Sequence, residues 1–429
     1  MEKVKGKSWF KYLYIISFCM IIVLCGLLCY KYIKVNQSLK ESDDDKANVN
    51  LIEDKSGANR PVLAEGMIPV IYDNTLNTWV KADAKGIYSN WYDYENKMWA
   101  NAVMVTSGTR DTYMNADVGT EIKEEDILAY YVWIPRYKYK LFNATYASGI
   151  SPSLIDIVFE NETSTTGTVT CTYDTSGNET CQNKANGNWY THPAFTFGDT
   201  ELKGIWVGKF ETTGSITTPT VKPGVSSLNN ITVANMYSAG KLFRSADYIT
   251  SNGINQSDSH MMKNIEWGAV AYLKQSNYGL GITDITINSN DSFYTGGGTG
   301  TSYKTNTGRS TSGNITGVYD MSGGAFEYVM GNYNKTAGDS GLTVSGVPAE
   351  HIDIYSGTSV SASHLGDALG ETAGWYINYA DFVLSGGPWF SRGGNCLSGG
   401  DAGVFGFIYS TGEGYNSYGF RVVLSVTGA

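Results

Sequence analysis

The composition of the sequence predicts an α+β fold in which short strands and turns dominate and helices are few. Glycine and tyrosine are abundant among the 429 residues, at 50 and 31, whereas proline and cysteine number only 9 and 6. Glycine, tyrosine and threonine favour turns and half-buried strands over long helices. Charged residues make up 17%, below the roughly 25% of an average globular protein. These figures exclude collagen-like repeats, a small disulfide-stapled scaffold and general disorder.

The N-terminal segment has the pattern of a membrane anchor. An apolar run covers residues 12–30, and no small-x-small cleavage site follows it, which favours an uncleaved anchor over a signal peptide. At about 1.5 Å per residue, such a helix would measure ~28 Å, enough to cross a bilayer. The run is preceded by four lysines: Lys3, Lys5, Lys7 and Lys11. The positive-inside rule therefore predicts a cytoplasmic tail at 1–11, a transmembrane helix at 12–30 and an extracellular C-terminal domain, a single-pass protein of the cell membrane.

The character of the sequence changes twice after this run. Residues 31–61 are polar, without apolar periodicity, and are predicted to form a linker. Residues 62–128 are expected to form a small β-rich segment, whose aromatic residues favour a sheet core over a carbohydrate platform. The main domain is expected at 129–425. A continuous apolar stretch predicts a buried strand over 127–135, and helical spacing predicts a helix over 257–274.

Charge and metal-binding residue types exclude several functions. The net charge is −10, and no basic stripe is present to neutralise phosphates, so no nucleic-acid partner is expected. None of the four histidines lies in an HxH, HExxH or CxxC context, so a first-row metal centre is not expected. They are His192, His260, His351 and His364.

Several motifs in the C-terminal two thirds resemble the formylglycine-generating (sulfatase-modifying factor) family. Residues 317–329, GVYDMSGGAFEYV, are similar to the family segment GLYDMxGNVWEWV, and residues 383–395, VLSGGPWFSRGGN, to its VxRGGSW strand and turn. The chain closes with GFRVVL at 419–424, similar to the family ending. Further matches precede these in the family's order: VWIP at 132–135, IWVGKFETT at 205–213 and MKNIEWGAVAY at 262–272.

This resemblance implies a C-type-lectin-like fold, a small twisted antiparallel sheet with few helices and long ordered loops. The family contains oxidases that bind copper through a pair of nearby C-terminal cysteines, and thiolates suit Cu(I). Only Cys396 lies in that region here, while Cys171 and Cys181 bracket an upstream loop that a disulfide could close. We therefore expect no enzyme activity and no catalytic residue. Relatives also bind calcium near the GNVWE segment, which makes Glu327 a candidate calcium ligand, although Gly324 replaces the family asparagine; no other cofactor is expected.

The resemblance extends to lectin-fold binding proteins, including the variable proteins of diversity-generating retroelements, which form a binding face from their C-terminal residues. In this sequence that stretch carries aromatic and adaptable polar residues between glycines, as binding loops do. The predicted ligand-binding residues are Trp389, Phe390, Asn395, Asp401, Tyr409, Glu413, Tyr415 and Asn416. The expected function is that of a membrane-anchored, externally displayed protein that binds a surface ligand, a glycan or a protein. The alternatives are an altered or inactive oxidase of the formylglycine-generating class and a structural cell-envelope or prophage tail-related protein.

Overall fold

The computed structural model describes residues 26, 54–84, 91–142, 152–168, 171–173, 179–181 and 188–428. The chain divides into two units, Met1–Leu51 and Ile52–Ala429. In the first unit only residue 26 is described, so the architecture below is that of the second. This unit has a mixed α+β fold in which sheets dominate and helices are few, as the composition predicts.

The strands are short, and most lie in two sheets. In chain order the first eleven are β1 (Ile68–Asp73), β2 (Thr78–Lys81), β3 (Asn101–Val105), β4 (Ile127–Pro135), β5 (Tyr137–Lys140), β6 (Asp156–Phe159), β7 (Cys171–Tyr173), β8 (Glu179–Cys181), β9 (Tyr190–Thr191), β10 (Thr196–Phe197) and β11 (Thr200–Glu201). The next ten are β12 (Gly204–Gly208), β13 (Thr213–Gly214), β14 (Pro219–Thr220), β15 (Ser257–Met261), β16 (Phe326–Tyr333), β17 (Asp353–Tyr355), β18 (Trp389–Gly393), β19 (Gly403–Ser410), β20 (Tyr418–Phe420) and β21 (Val422–Val426).

Helices are short and connect the strands. The α-helices of the described chain are α1 (Ser107–Asn115), α2 (Val233–Gly240), α3 (Ser251–Gln256) and α4 (Asn264–Lys274). Short 3-10 helices shape the loops at Pro193–Phe195, Lys241–Arg244, Thr295–Gly297, Ser302–Lys304, Thr307–Arg309, Val344–Gly346, Ala349–His351, Val360–Ala362, Trp375–Ile377 and Gly399–Asp401.

The larger sheet has seven strands in the order β15-β21-β12-β4-β3-β1-β2, and each neighbouring pair is antiparallel. Its central strand, β4, confirms the buried strand predicted at 127–135, since eight of its nine residues are buried. Burial on both faces explains the continuous apolar run. The rings of Trp133 on β4 and Trp206 on β12 pack in this core, with centroids 5.1 Å apart.

The smaller sheet has five strands. Its main order is β17-β16-β18-β19, and β20 pairs with the beginning of β16. Strand β16 is parallel to β17 and β20 but antiparallel to β18. Every residue of β18 is buried. This burial decides the position of two predicted ligand-binding residues, as described below.

Arg421 connects the two sheets at the junction of β20 and β21. Its side chain is fully buried and donates from Nη1 to the carbonyl oxygen of Gly208 on β12, at 2.8 Å. On the other side, its Nε and Nη2 donate to the two carboxylate oxygens of Glu327 on β16, the Nε contact at 3.0 Å. Arg421 is thus a buried member of an ion pair.

The structure differs from the sequence prediction at two places in this unit. The predicted helix over 257–274 is wrong at its start, because residues 257–261 form β15 at the edge of the larger sheet and α4 begins only at Asn264. The backbone N–H of Lys263 donates to Glu266 Oε2 at 2.8 Å, which fixes this N-terminus. In addition, β3 pairs with β4, so the predicted boundary between 62–128 and 129–425 falls inside one sheet.

The localisation prediction also needs correction. Among the described residues, no helix is both long enough and apolar enough to cross a membrane. This finding contradicts the predicted single-pass anchor at 12–30, which we withdraw. The segment itself, apart from residue 26, lies outside the described residues.

Candidate functional site

Two of the predicted ligand-binding residues lie in the core rather than in a loop. Trp389 and Phe390 belong to β18 and are fully buried. The indole N–H of Trp389 donates to the carbonyl oxygen of Ala337 at 2.9 Å. The ring of Phe390 packs on Phe382 and Tyr355, with centroids 5.0 and 4.9 Å apart. Because both faces of β18 are covered, neither residue can meet a ligand, and both are removed from the predicted set.

Asn395 and Asp401 lie in the loop between β18 and β19. Asn395 is half-buried, and its Oδ1 accepts hydrogen bonds from the Leu397 N–H at 3.0 Å and the Ser398 hydroxyl at 3.1 Å. These bonds form an Asx turn, so Asn395 shapes the loop. Asp401 is exposed, and its backbone carbonyl accepts from the Tyr379 N–H at 3.1 Å.

The remaining predicted residues are exposed at the protein surface: Tyr409, Glu413, Tyr415 and Asn416. Tyr409 is 43% exposed and lies opposite Phe390 in the pairing of β18 with β19. The Glu413 backbone carbonyl accepts from the Tyr328 hydroxyl at 3.0 Å, which fixes this loop on β16. Tyr415 is 37% exposed and belongs to a larger group of rings.

Four aromatic rings form a continuous row at this surface, which we call the aromatic row: Tyr379, Phe326, Tyr418 and Tyr415. Successive ring centroids are 6.4, 5.0 and 5.1 Å apart. Tyr379 and Tyr418 are half-buried, Phe326 is 9% exposed, and Tyr415 is the most exposed. The row therefore combines a ring that is packed into the protein with rings that are partly accessible to solvent. Sequence reasoning identified only Tyr415, because Phe326 and Tyr379 lie in other parts of the chain. Tyr418, three residues after Tyr415, was not among the predicted residues.

The centre of the row is set by strand register. β16 and β20 pair in parallel with Phe326 opposite Tyr418, so the two rings emerge side by side. The turn before β16 places Gly324 at φ +75°, where a Cβ would lie 2.3 Å from Glu211 Oε1. An asparagine, as in the resembled family, would not fit there without displacing Glu211. Gly324 is thus a steric requirement of this turn.

Two exposed aliphatic residues lie on loops beside the row. Ile377 is 82% exposed and Leu397 is 79% exposed. Ile377 is two residues from Tyr379, in the loop that is hydrogen-bonded to Asp401. The Leu397 loop is fixed close to β16 by a hydrogen bond from the Cys396 N–H to the Gly324 carbonyl, at 2.9 Å. Ile377 therefore lies on the loop that carries Tyr379, and Leu397 lies on a loop bonded to the turn before Phe326.

Exposed carboxylates lie on the same loops. Asp381 follows Tyr379 by two residues, Asp401 is bonded to Tyr379 through its backbone, and Glu413 precedes Tyr415 by two residues. We call these three residues the acidic rim. The surface thus combines aromatic rings and aliphatic side chains with negative charge at its edge.

A second group of carboxylates is buried behind this surface. Glu211 and Asp320 are each 1% exposed. Glu211 Oε1 accepts from the Ala325 N–H at 2.9 Å, and Asp320 accepts from Asn288 Nδ2 at 3.0 Å and from the Gly296 N–H at 2.7 Å. Burial, reinforced by neighbouring carboxylates, raises the pKa of Glu211 well above its ordinary value. Burial also raises the pKa of Asp320 to about 6, in spite of its hydrogen bonds.

Glu327, the candidate calcium ligand, belongs to this buried group. Both of its carboxylate oxygens accept hydrogen bonds from Arg421, and the residue is 1% exposed. A calcium ion needs several oxygen ligands that are free to turn towards it. The pairing with Arg421 and the glycine at position 324 do not fit such a site, so we propose no calcium at Glu327.

The raised pKa values predict a pH dependence of stability that Glu211→Gln should reduce. Between about pH 5 and pH 8 the folded state retains protons that the unfolded state releases, so these carboxyls lower stability as the pH rises. Glutamine keeps the acceptor for Ala325 but cannot titrate. We expect the stability of the variant relative to wild type to increase from pH 5 to pH 8, measured by urea unfolding. The exposed Glu125→Gln should show no such change; an equal response of both variants would contradict the prediction.

A third cluster, which sequence reasoning missed, joins β15 to the 3-10 helix Ala349–His351. Asp258 Oδ1 lies 2.9 Å from His260 Nδ1 and 2.9 Å from His351 Nε2. The second nitrogen of His260 is 2.9 Å from Glu266 Oε1, and that of His351 is 3.0 Å from the Tyr237 hydroxyl. Asp-x-His on a strand places both side chains on one face. The predicted helix over 257–274 hides this signal, because Asp258 and His260 do not share a helix face.

The charges of this cluster are balanced locally. Burial alone would lower the pKa of His260, but the facing carboxylates of Glu266 and Asp258 outweigh burial and raise the pKa to about 9. Burial would raise the pKa of Glu266, yet His260 and Lys263 hold it below its ordinary value. The half-buried ring of Phe197 covers both histidines, with centroids 5.2 Å from His260 and 5.7 Å from His351.

Among the cysteines, the structure describes the side chain of Cys396 alone. Cys396 is a free, buried cysteine, and burial raises its pKa above the ordinary value for a thiol. The backbone pairing of β7 with β8 places Cys171 opposite Cys181, far upstream in the chain. The side chains of those two residues lie outside what the structure describes, so their disulfide stays a prediction.

The chain has no match among known families. No protein-family model matches it, and no curated protein matches its sequence. The resemblance to the formylglycine-generating family therefore rests on the motifs and stays a prediction.

Proposed function

We propose that this chain is a ligand-binding protein of C-type-lectin-like architecture, and that its ligand is a protein with a basic surface. The binding surface consists of the aromatic row, the exposed Ile377 and Leu397, and the acidic rim. Two antiparallel-rich sheets with long loops and few helices support the architecture.

The observation that carries the proposal is the conformation of Ile377. This residue is 82% exposed and adopts φ +67°, and Tyr376 before it adopts φ +58°. A β-branched side chain in the left-handed region costs free energy, and its exposure to water returns none. Glycine or asparagine would fit this backbone better. An exposed isoleucine there is explained by a partner that covers it.

The composition of the surface favours a protein ligand over a glycan. Tyrosine supplies large, rigid contacts at interfaces, and aliphatic groups gain free energy only when a partner removes them from water. Two aliphatic side chains about four-fifths exposed, 82% and 79%, therefore point to a partner with apolar groups of its own. Asp381, Asp401 and Glu413 would then attract a partner with positive charge and give a salt-dependent association rate.

The oxidase alternative has less support. The C-terminal region supplies one thiol, Cys396, which cannot form a two-sulfur copper site. Burial also raises the pKa of that thiol, which disfavours the reactive thiolate. Ligand binding needs no second thiol, so it accounts for this region better than the oxidase alternative does.

The proposal can be tested with a phage-displayed library of random dodecapeptides selected on the purified chain. Selected peptides should combine arginine or lysine with aromatic or aliphatic residues, and their affinity should fall with added salt. Ile377→Asn and Tyr415→Ala should each weaken binding at least tenfold, about 1.4 kcal/mol, measured by fluorescence anisotropy. Asparagine at 377 tolerates positive φ, so the thermal midpoint of Ile377→Asn should not fall.

Leu76→Ser is the matched control, because Leu76 is also a large exposed apolar residue, at 60%, but lies in the turn between β1 and β2. It should leave peptide binding unchanged. Equal losses of peptide affinity in Ile377→Asn, Tyr415→Ala and Leu76→Ser would contradict the proposed surface. So would peptides whose affinity none of these substitutions changes. If the chain instead binds glycans on an array, and this binding depends on Tyr415 but not on Ile377, the ligand is a glycan rather than a protein.

A further inference from the structure

We propose that Asp258, His260 and His351 bind a zinc ion that fastens β15 to the 3-10 helix Ala349–His351. The proposal is independent of the ligand-binding surface. It concerns a cluster of metal-ligating side chains that come from distant parts of the chain, since Asp258 and His351 are 93 positions apart.

The positions of the three donor atoms fit a small divalent ion. Asp258 Oδ1, His260 Nδ1 and His351 Nε2 all lie within 4.8 Å of one another. The carboxylate oxygen is 2.9 Å from each imidazole nitrogen. Zinc bound tetrahedrally at 2.0–2.1 Å needs neighbouring donor atoms about 3.3 Å apart. To admit the ion, the two oxygen–nitrogen distances must lengthen by about 0.4 Å. The stacked rings of His260 and His351, 16° apart in plane, must also rotate so that both nitrogens face the ion.

The partners of the outer nitrogens support the assignment. Histidines that bind metals donate their other ring N–H to a carboxylate or another acceptor, which sets the tautomer and the ring orientation. His260 Nε2 is 2.9 Å from Glu266 Oε1, which is 1% exposed, and His351 Nδ1 is 3.0 Å from the Tyr237 hydroxyl. Each imidazole thus presents one nitrogen to Asp258 and has the other held by a second residue.

The cluster also has the required access and charge. Asp258 retains 20% of its side-chain exposure, whereas His260 is fully buried, so an ion could enter beside Asp258 and keep a water as its fourth ligand. Asp258 and Glu266 carry two negative charges that neutralise Zn²⁺. On binding, His260 Nδ1 releases its proton to solvent, and His351 adopts the tautomer that carries its proton on Nδ1, since both coordinating nitrogens must be unprotonated.

The alternative is a cluster held by hydrogen bonds alone, in which His260 is an imidazolium between two carboxylates. The two arrangements use the same atoms but differ in a measurable way. Only the metal site binds zinc with a stoichiometry of one and imposes a four-coordinate ligand field. Arg244 does not distinguish the two arrangements, since its Nη1 lies 3.7 Å from Asp258 Oδ2 and contributes a positive charge to both.

The test uses the full chain, freed of metal by chelation and titrated with zinc chloride by isothermal titration calorimetry. We expect one zinc per chain and a rise of the thermal midpoint with zinc. Asp258→Asn and His351→Gln should weaken zinc binding at least 100-fold, and Tyr237→Phe and Glu266→Gln about 10–100-fold. His364→Gln is the matched control, because His364 stacks on Tyr355 outside the cluster, at 4.3 Å between centroids; it should bind zinc as wild type does.

A second measurement uses the wild-type chain and therefore does not depend on whether the variants fold. Cobalt(II) added to the metal-free wild-type chain should give the intense visible absorption of a four-coordinate N/O site, and zinc should displace it. A folded wild-type chain that binds no zinc at millimolar concentration would overturn the proposal. So would zinc binding that survives Asp258→Asn, or a weak six-coordinate cobalt spectrum.

Discussion

Replacing Glu327 by alanine is expected to destabilise the fold by about 3–5 kcal/mol, the loss typical of a broken buried ion pair. The substitution leaves the Arg421 guanidinium fully buried and without its counter-charge, while Gly208 and Tyr319 accept only two of its hydrogen bonds. Since Arg421 bridges β12 of one sheet and β16 of the other, the loss should loosen the junction of both sheets. Urea unfolding monitored by tryptophan fluorescence measures the effect.

A double variant separates the pair from the packing around it. Arg421→Met combined with Glu327→Leu replaces both charges by apolar groups of similar length, which is often neutral or stabilising in buried sites. We expect the double variant to lose less stability than Arg421→Met alone or Glu327→Leu alone, with a coupling free energy of about 1–3 kcal/mol. Single losses below about 1 kcal/mol, or losses that simply add, would show that the pair does not join the sheets.

The predictable parts of the fold are those whose signal is local. The strand over 127–135 could be read directly, because a strand buried on both faces needs an unbroken apolar run. The helix α4 was found by its apolar spacing. Its start was misplaced because β15 is polar at Ser257 and Asp258, and only pairing with β21 makes it a strand. β15 and β21 lie more than 160 positions apart, so their pairing cannot be recognised in a short stretch of sequence.

The candidate site was harder to predict for the same reason. Tyr415 was recognised within its own loop, whereas Phe326 and Tyr379 reach the aromatic row only through the register of β16 and β20 and a loop contact. Glu327 was assigned to calcium because its motif was considered without its tertiary partner Arg421. His351 gave no signal at all, since the residue that would bring it into a metal site, Asp258, is distant in the chain.

Trp389→Ala is expected to cost about 3–5 kcal/mol of stability, as large-to-small substitutions of buried tryptophan do. The sequence places Trp389 and Tyr415 in one group of aromatic binding residues, but the structure separates them, since Trp389 is fully buried and Tyr415 is 37% exposed. Tyr415→Ala should therefore cost less than about 1 kcal/mol, as exposed substitutions usually do. Thermal and urea unfolding of the two variants measure this contrast.

The environment of the indole shows why the loss should be large. The Trp389 N–H donates to Ala337, and a Cβ at Gly412 would lie 2.6 Å from the Trp389 ring, so the surrounding chain is built closely around it. Alanine would leave a cavity and lose the indole hydrogen bond to Ala337, and both add to the lost burial. Trp389→Phe fills most of the cavity but lacks the N–H that donates to Ala337, so its cost should be intermediate. If Trp389→Ala keeps wild-type stability while peptide binding disappears, the ring is a binding residue after all, and the assignment of β18 to the core is wrong.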